Sequence, residues 1–335
     1  MRQASHPTED RVMQAWTQYI YGDVSVLSLT RNALPVPKTD EVLVRVATSS
    51  VTTADWRIRQ AAFPGGLALA GRAIVGFLAP RQPVRGMEFA GEIAAVGDNV
   101  TKWQIGQQVF GLADGGAHAA YMTIPGDGCM LERPSSLTDE QATALPFGGL
   151  CSLVFLRDVA KLKPGQRVLI VGASGGVGAY AVQIAKHLGA HVTGVASTRN
   201  QQLCQDLGAD EMIDYTTASP LSGNEAYDLI FDTVGRVRYN QAREKLSDGG
   251  LFLPLNYGLR DVISLLANRL RGRTDLVLHV NGDSAEDLQA LLGWVQEGAV
   301  RPVIDTVYPF DDIKSAYAHV ERRSRSGAVL IRVAG

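Results

Sequence analysis

Residues 167–197, RVLIVGASGGVGAYAVQIAKHLGAHVTGVAS, decide the fold. A strand-length apolar run enters a glycine-rich turn. A helical stretch follows with Val177, Ala181, Ile184 and Leu188 on one face; Gly189 ends it, and a second strand begins. Strand, turn, helix and strand within about thirty residues make one βαβ unit. Gly172, Gly175 and Gly178 take the GxxGxxG form, and Gly176 adds a further position without a side chain. Without Cβ atoms the backbone turns tightly, and a diphosphate can approach the N–H groups at the positive end of the helix. Ser174, Gly175, Gly176, Val177 and Gly178 are therefore the expected dinucleotide-binding loop.

The end of the second strand selects the dinucleotide. An acidic residue there would hold the two hydroxyls of a free adenosine ribose. This chain has ASTRN at 196–200 instead. Ser197 can donate a hydrogen bond to a 2′-phosphate and Arg199 can pair with it, which predicts NADPH rather than NADH. The plainer reading of Arg199 is a solvated loop residue.

Upstream, short strands are broken by glycine and proline: EVLVRVATSSV (41–51), FAGEIAAVG (89–97), GQQVFGL (106–112) and AAYMTIP (119–125). They describe a mostly β domain over 12–134, preceded by a flexible extension at 1–11. From 135 to 282 strands alternate with amphipathic helices, as a parallel sheet covered by helices requires. Its expected strands are RVLIVG, HVTGVAS, YDLIFDTVG, GLFLPLN and DLVLHVNG. Beyond 283 a helix, RPVIDTVYPF, another helix and AVLIRV suit the first domain better, so the chain is expected to return to it. The apolar segment 66–82 reads equally as a surface helix or as a lid or wall of a substrate cleft.

The chain has 335 residues, 46% of them hydrophobic, and a net charge of −2. These values predict a soluble protein of two domains or one large one and argue against nucleic acid or membrane as partners. No apolar run reads as long enough to cross a bilayer, and the polar start lacks a secretory signal, so the cytoplasm is the expected location. Cys129, Cys151 and Cys204 read as reduced, packed thiols.

The stretches 41–59, 86–112, 162–190, 207–216 and 227–235, in this order, resemble a medium-chain dehydrogenase/reductase of the zinc-independent quinone oxidoreductase branch. The resemblance implies an α/β chain: a GroES-like β domain built from both ends (12–134 and 283–335) and a Rossmann domain between. It implies a cleft where nicotinamide meets a small-molecule substrate. Thr52 and Met87 stand where the zinc alcohol dehydrogenases of the superfamily carry cysteine and histidine, so a metal-free site is expected and Met87 fills space. Tyr215 and Arg323 match residues that, with one at the place of Arg199, surround the 2′-phosphate. Asn256 and Tyr257 follow the strand that passes the nicotinamide, and Tyr257 reads equally as a catalytic donor to a substrate carbonyl and as a packing aromatic.

Other residues invite two readings. Thr52 and Asp55 fit a helix cap, [ST]xx[DE], better than proton transfer, although both are also catalytic candidates. His118 reads as a hydrogen-bonded strand residue. Cys151 replaces the family's threonine near the nicotinamide, with Ser152 beside it as a hydroxyl source.

Without zinc, hydride delivery to a conjugated C=C is the expected reaction, since the acceptor's own π system spreads the charge. Quinone reduction is the rival within the enzyme class, and an NADPH-binding sensor or scaffold the rival outside it. TDLVLHVNG (274–282) reads as an apolar edge strand, and the resemblance implies a homodimer paired through such an edge.

Overall fold

The computed structural model describes residues 12–333, so the expected extension at 1–11 lies outside the described residues. The opening hairpin-like pair is β1 (Val12–Thr17) with β2 (Ser28–Ala33). The β domain continues with β3 (Glu41–Val51), β4 (Glu88–Val96), β5 (Gln108–Leu112), β6 (Tyr121–Pro125) and β7 (Met130–Glu132). Then come β8 (Arg167–Val171), β9 (His191–Ala196), β10 (Glu211–Asp214), β11 (Tyr227–Asp232) and β12 (Leu246–Pro254). The last strands are β13 (Ile304–Pro309) and β14 (Ala328–Arg332).

Strands β8 to β12 form a parallel sheet in the order β10-β9-β8-β11-β12. Val168, Leu169, Ile170 and Val171 are all buried because both faces of β8 are covered, which is why this strand reads as an unbroken apolar run. The chain leaves β8 toward β9 and β10, then crosses back to β11. The carboxyl ends of β8 and β11 therefore flank the switch point at which such sheets bind ligands.

The second sheet runs β13-β14-β3-β4-β5-β7, with β6 also pairing to β3. β14 lies antiparallel to β3, with Val329 opposite Val51 and Arg332 opposite Thr48. The closing strands thus return to the sheet begun near the other end of the chain.

Three expectations need correction. DLVLHVNG does not form a strand: its ladder is a single bridge, Leu276 to Phe252, and beyond it the His279 ring meets Phe155 edge-on at 5.3 Å. The fifth strand of the parallel sheet is instead β10, too short at four residues to show alternation in the sequence. A helical stretch, Asp139–Val159, is long and apolar enough to cross a bilayer by length and composition. It is 78% buried, and Leu150, Leu153, Phe155 and Leu156 lie in the main core. Its apolarity therefore serves packing on every side.

Segment 66–82 contains a short helix, Ala68–Val75, that buries none of its residues and exposes Leu69 and Ile74. The three cysteines are buried and unpaired with one another.

Candidate active site

The glycine loop has the shape its sequence requires. Gly172 adopts φ +84°, and a Cβ there would come within 2.6 Å of Val234 Cγ1. A Cβ on Gly178 would stand 2.0 Å from the Gly172 carbonyl oxygen, so the turn closes only without one. Above Gly176 lies the Arg325 guanidinium, with Nη2 3.1 Å from the place a Cβ would occupy. Ser174 is held by Asn200, whose Nδ2 donates to Ser174 Oγ at 3.0 Å. Ser326 Oγ donates to the other end of the same amide at 2.9 Å.

Beyond the loop, at the ends of β8 and β9, is a cavity of about 340 Å³. It brings Ser197, Arg199, Tyr215 and Arg323 together with Arg236, and no carboxylate lines it. Arg236 lies over the Tyr215 ring, 5.4 Å from its centroid, and Arg199 donates to the Ser324 carbonyl. Arg323 Nη2 donates to Val234 O at 2.8 Å. Asp214, at the end of β10, is occupied elsewhere: hydrogen bonds from Thr198 and Thr216 hold its carboxyl below the usual range. The pocket can accept a doubly charged phosphate and offers nothing to repel it.

A second cavity of about 400 Å³ opens beside Gly175, Gly176 and Val177. Thr53, Arg57, Phe63, Phe147, Thr233, Leu255 and Asn256 are among its walls. Asn256 is fixed on both sides: Nδ2 donates to Thr233 O at 3.0 Å, and Arg57 donates to its Oδ1. Burial, and then the nearby Arg323 charge, lower the Arg57 pKa to about 10. Phe63, Pro64, Val75 and Leu255 also wall a third, apolar cavity of about 370 Å³ under helix Ala68–Val75, where Tyr257 and His279 lie.

Thr52 and Asp55 are not brought to these cavities, although their neighbours Thr53 and Ala54 are. They form a capping box on helix Thr53–Gln60. Asp55 Oδ2 accepts from Thr52 N at 2.9 Å and Oγ1 at 2.7 Å, while Oδ1 accepts from Gly86 N at 3.1 Å. The buried carboxylate therefore secures the helix start and the turn before Met87.

Met87 is partly buried and packs on the main core. Glu88, next to it, is buried; Oε1 accepts from Phe147 N at 2.7 Å and Oε2 from Ser50 Oγ. Burial raises its pKa to about 7, against those hydrogen bonds. His118 sits in a bend rather than a strand, 2.8 Å from Ser50 O through Nε2, with burial lowering its pKa. Burial pushes the Cys151 thiol up to about 12, and the Ser152 hydroxyl is within hydrogen-bond distance of Gly148 O and Val177 O. Neither side chain faces the cavities.

A zinc ion does not fit this donor set. A hydroxyl engaged by Asp55 and a thioether take the two family positions. Among the described residues no group of three or more His, Cys, Asp or Glu could hold a metal. Sequence reasoning missed Arg236, Arg325 and Glu88. Arg325 sits in the run ERRSRSG (321–327), where a loop gives no periodicity to say which arginine turns inward, and Glu88 lies in GMEF (86–89) beside Met87 with no pattern of its own.

Comparison with known proteins supplies the family and the fold. Residues 38–134 match an alcohol dehydrogenase GroES-like domain, and residues 207–331 match a family described as zinc-binding dehydrogenase. The chain is 28% identical over 323 residues to a chloroplast envelope quinone oxidoreductase homolog of Arabidopsis thaliana, covering 92% of this chain and 95% of that one. It is 29% identical over 362 residues to trans-enoyl reductase pgmF of Aspergillus terreus, covering 97% and 98%. Among solved structures, the quinone oxidoreductase from Coxiella burnetii superposes with a TM-score of 0.85 at 25% identity, over 97% of this chain and all (100%) of that one.

Proposed function

The chain belongs to the medium-chain dehydrogenase/reductases, in their quinone oxidoreductase-like branch, and on that premise we propose that it is an NADPH-dependent, metal-free reductase of activated C=C bonds. It is an oxidoreductase of a family that uses a nicotinamide cofactor. The finer reading rests on one observation: the hollow beyond the glycine loop is lined by Arg199, Arg236, Arg323 and Tyr215 and by no acid.

The residues present fit the cofactor. Gly175 and Gly176 leave room for a diphosphate beneath Arg325, and Ser197, Arg199, Arg236 and Arg323 are the partners for a 2′-phosphate. When bound, the cofactor supplies the hydride. The chain's own residues orient and enclose the acceptor. Phe63, Val75 and Leu255 give it apolar walls that span two cavities, and Asn256, in the wall of the one beside the glycine loop, is locked between Thr233 and Arg57. The Tyr257 hydroxyl is the donor toward a substrate carbonyl oxygen, where charge grows as the β carbon is reduced. Positions 52 and 87 hold no metal donor to polarise an isolated ketone, so an acceptor that spreads its own charge is favoured.

Quinone reduction is the second reading, supported by the names of the Arabidopsis and Coxiella proteins. The test follows NADPH absorbance with purified protein and a metal chelator, across enones, enals, enoyl thioesters and quinones. Turnover of the alkenes to saturated carbonyl products is expected. Turnover of quinones alone would replace this reading with the second, and NADPH binding without any turnover would leave a sensor.

A further inference from the structure

Past Asn256, on the side away from the glycine loop, lies a groove of about 770 Å³. Its cations are Arg57, Arg238, Arg260 and Arg323. Among the described residues, no carboxylate comes within 4.0 Å of any of the four guanidinium groups. One acid, Asp261, does line the groove, but its Oδ2 is taken by Gly258 N at 2.8 Å, where it caps helix Leu259–Leu270. Four positive side chains line one hollow beside a single acid, and none of them is paired with it.

This groove is not the cofactor's phosphate pocket. No residue of the glycine loop and none from the end of β9 contributes to it, and Arg199 and Arg236 face the other cavity; Val234 and Arg323 wall both, so Arg57, Arg238 and Arg260 are the groove's own cations. It is continuous with the hydride-transfer cleft, because Arg57, Pro64, Val234, Asn256 and Arg323 wall both. An acceptor seated against Asn256 would therefore extend a tail into the basic hollow.

We propose that the groove is a subsite for a phosphate-bearing tail, and that the preferred acceptor is an enoyl thioester of a phosphorylated carrier. The proposal rests on the alkene-reductase reading and names its substrate class. The arrangement suits a multiply charged tail better than a single carboxylate, which one or two arginines would satisfy. The depressed pKa of Arg57, caused by burial and then by Arg323, accords with cations held close and lacking an anion. Arg238 and Arg260 are exposed, so an entering phosphate can reach them.

The test compares crotonyl-coenzyme A with the crotonyl thioester of N-acetylcysteamine, which has the same reacting alkene and no phosphate. The readout is the ratio of their kcat/KM values, in wild type and in Arg238→Ala and Arg260→Ala. Wild type is expected to favour the phosphorylated thioester at least tenfold at low salt, a preference that shrinks as salt rises. Each variant is expected to lower that ratio about tenfold, chiefly through KM of the phosphorylated substrate. A general loss of folding would lower both substrates together. A wild-type ratio near one, or a ratio unchanged in both variants, overturns the proposal while turnover of the neutral thioester leaves the reductase reading intact. If quinones alone are reduced, coenzyme A serves as the probe. Inhibition competitive with the quinone rather than with NADPH, and weakened in the variants, would keep the groove after the alkene reading has failed; its absence would dispose of both.

Discussion

The backbone N–H of Phe147 donates to Glu88 Oε1 at 2.7 Å, tying a buried carboxylate of β4 to the first turn of helix Pro146–Leu153. Ser50 holds the other oxygen, so one side chain joins two strands of the β sheet to the helix that leads into the parallel sheet. Keeping it charged has a cost. Burial raises its pKa from 4.5 to about 7, so the folded protein takes up a proton there that the unfolded chain would release. Stability from this group is complete below about 4.5 and is lost as pH rises through about 7, by an amount on the order of 3 kcal/mol. Glu88→Gln should therefore gain on wild type in Tm between pH 5 and pH 8. Melting curves that keep a constant separation over that range would show that Glu88 titrates normally.

Arg199→Ala and Arg236→Ala should each raise KM for NADPH by about ten- to a hundredfold and change KM for NADH little, since each removes a cation from the acid-free hollow. Steady-state kinetics with both cofactors decide this. Equal losses with NADH would mean that these arginines shape the loop instead of reading a phosphate.

Thr52→Ala should lower stability by about 1 kcal/mol, the usual worth of a helix N-cap, and leave kcat within a few-fold. Asp55→Ala should cost more, because Thr52 N and Gly86 N both lose a buried acceptor. Thermal melts and turnover measured side by side separate the roles. A collapse of kcat with Tm unchanged would restore proton transfer.

Tyr257→Phe should reduce kcat/KM for enones about ten- to a hundredfold while KM for NADPH holds, because the hydroxyl is assigned to the acceptor's oxygen. An undiminished rate would reduce Tyr257 to an apolar wall.

How much the sequence discloses depends on whether the information is local. The βαβ unit is legible because its strand, glycines, helical face and stop all lie within one stretch, and Gly178 fails as any other residue for a reason internal to that stretch. Ser197, Arg199 and Tyr215 converge because each follows a strand of the same sheet. The strand error at 275–282 arises because an apolar alternating run carries no record of whether a neighbour pairs with it, and here pairing stops at Leu276. Arg325 and Glu88 were illegible for a related reason. Arg325 reaches Val51 O at 3.0 Å and Thr53 Oγ1 at 2.9 Å across 274 and 272 positions, and no nearby residue foretells such contacts.

The pairing of β14 with β3 also dictates an order of events in the cell. Val329 and Val51 meet across the whole parallel-sheet segment, so the β domain cannot complete its sheet until that segment has been synthesised. The cofactor unit, built from neighbouring stretches, can form while translation continues, but the upstream strands must wait with an unfilled edge. Leu330 and Ile331, fully buried at maturity, arrive last to cover it. A ribosome that stalls within the parallel-sheet segment would thus hold a half-closed sheet, the species on which a chaperone would act.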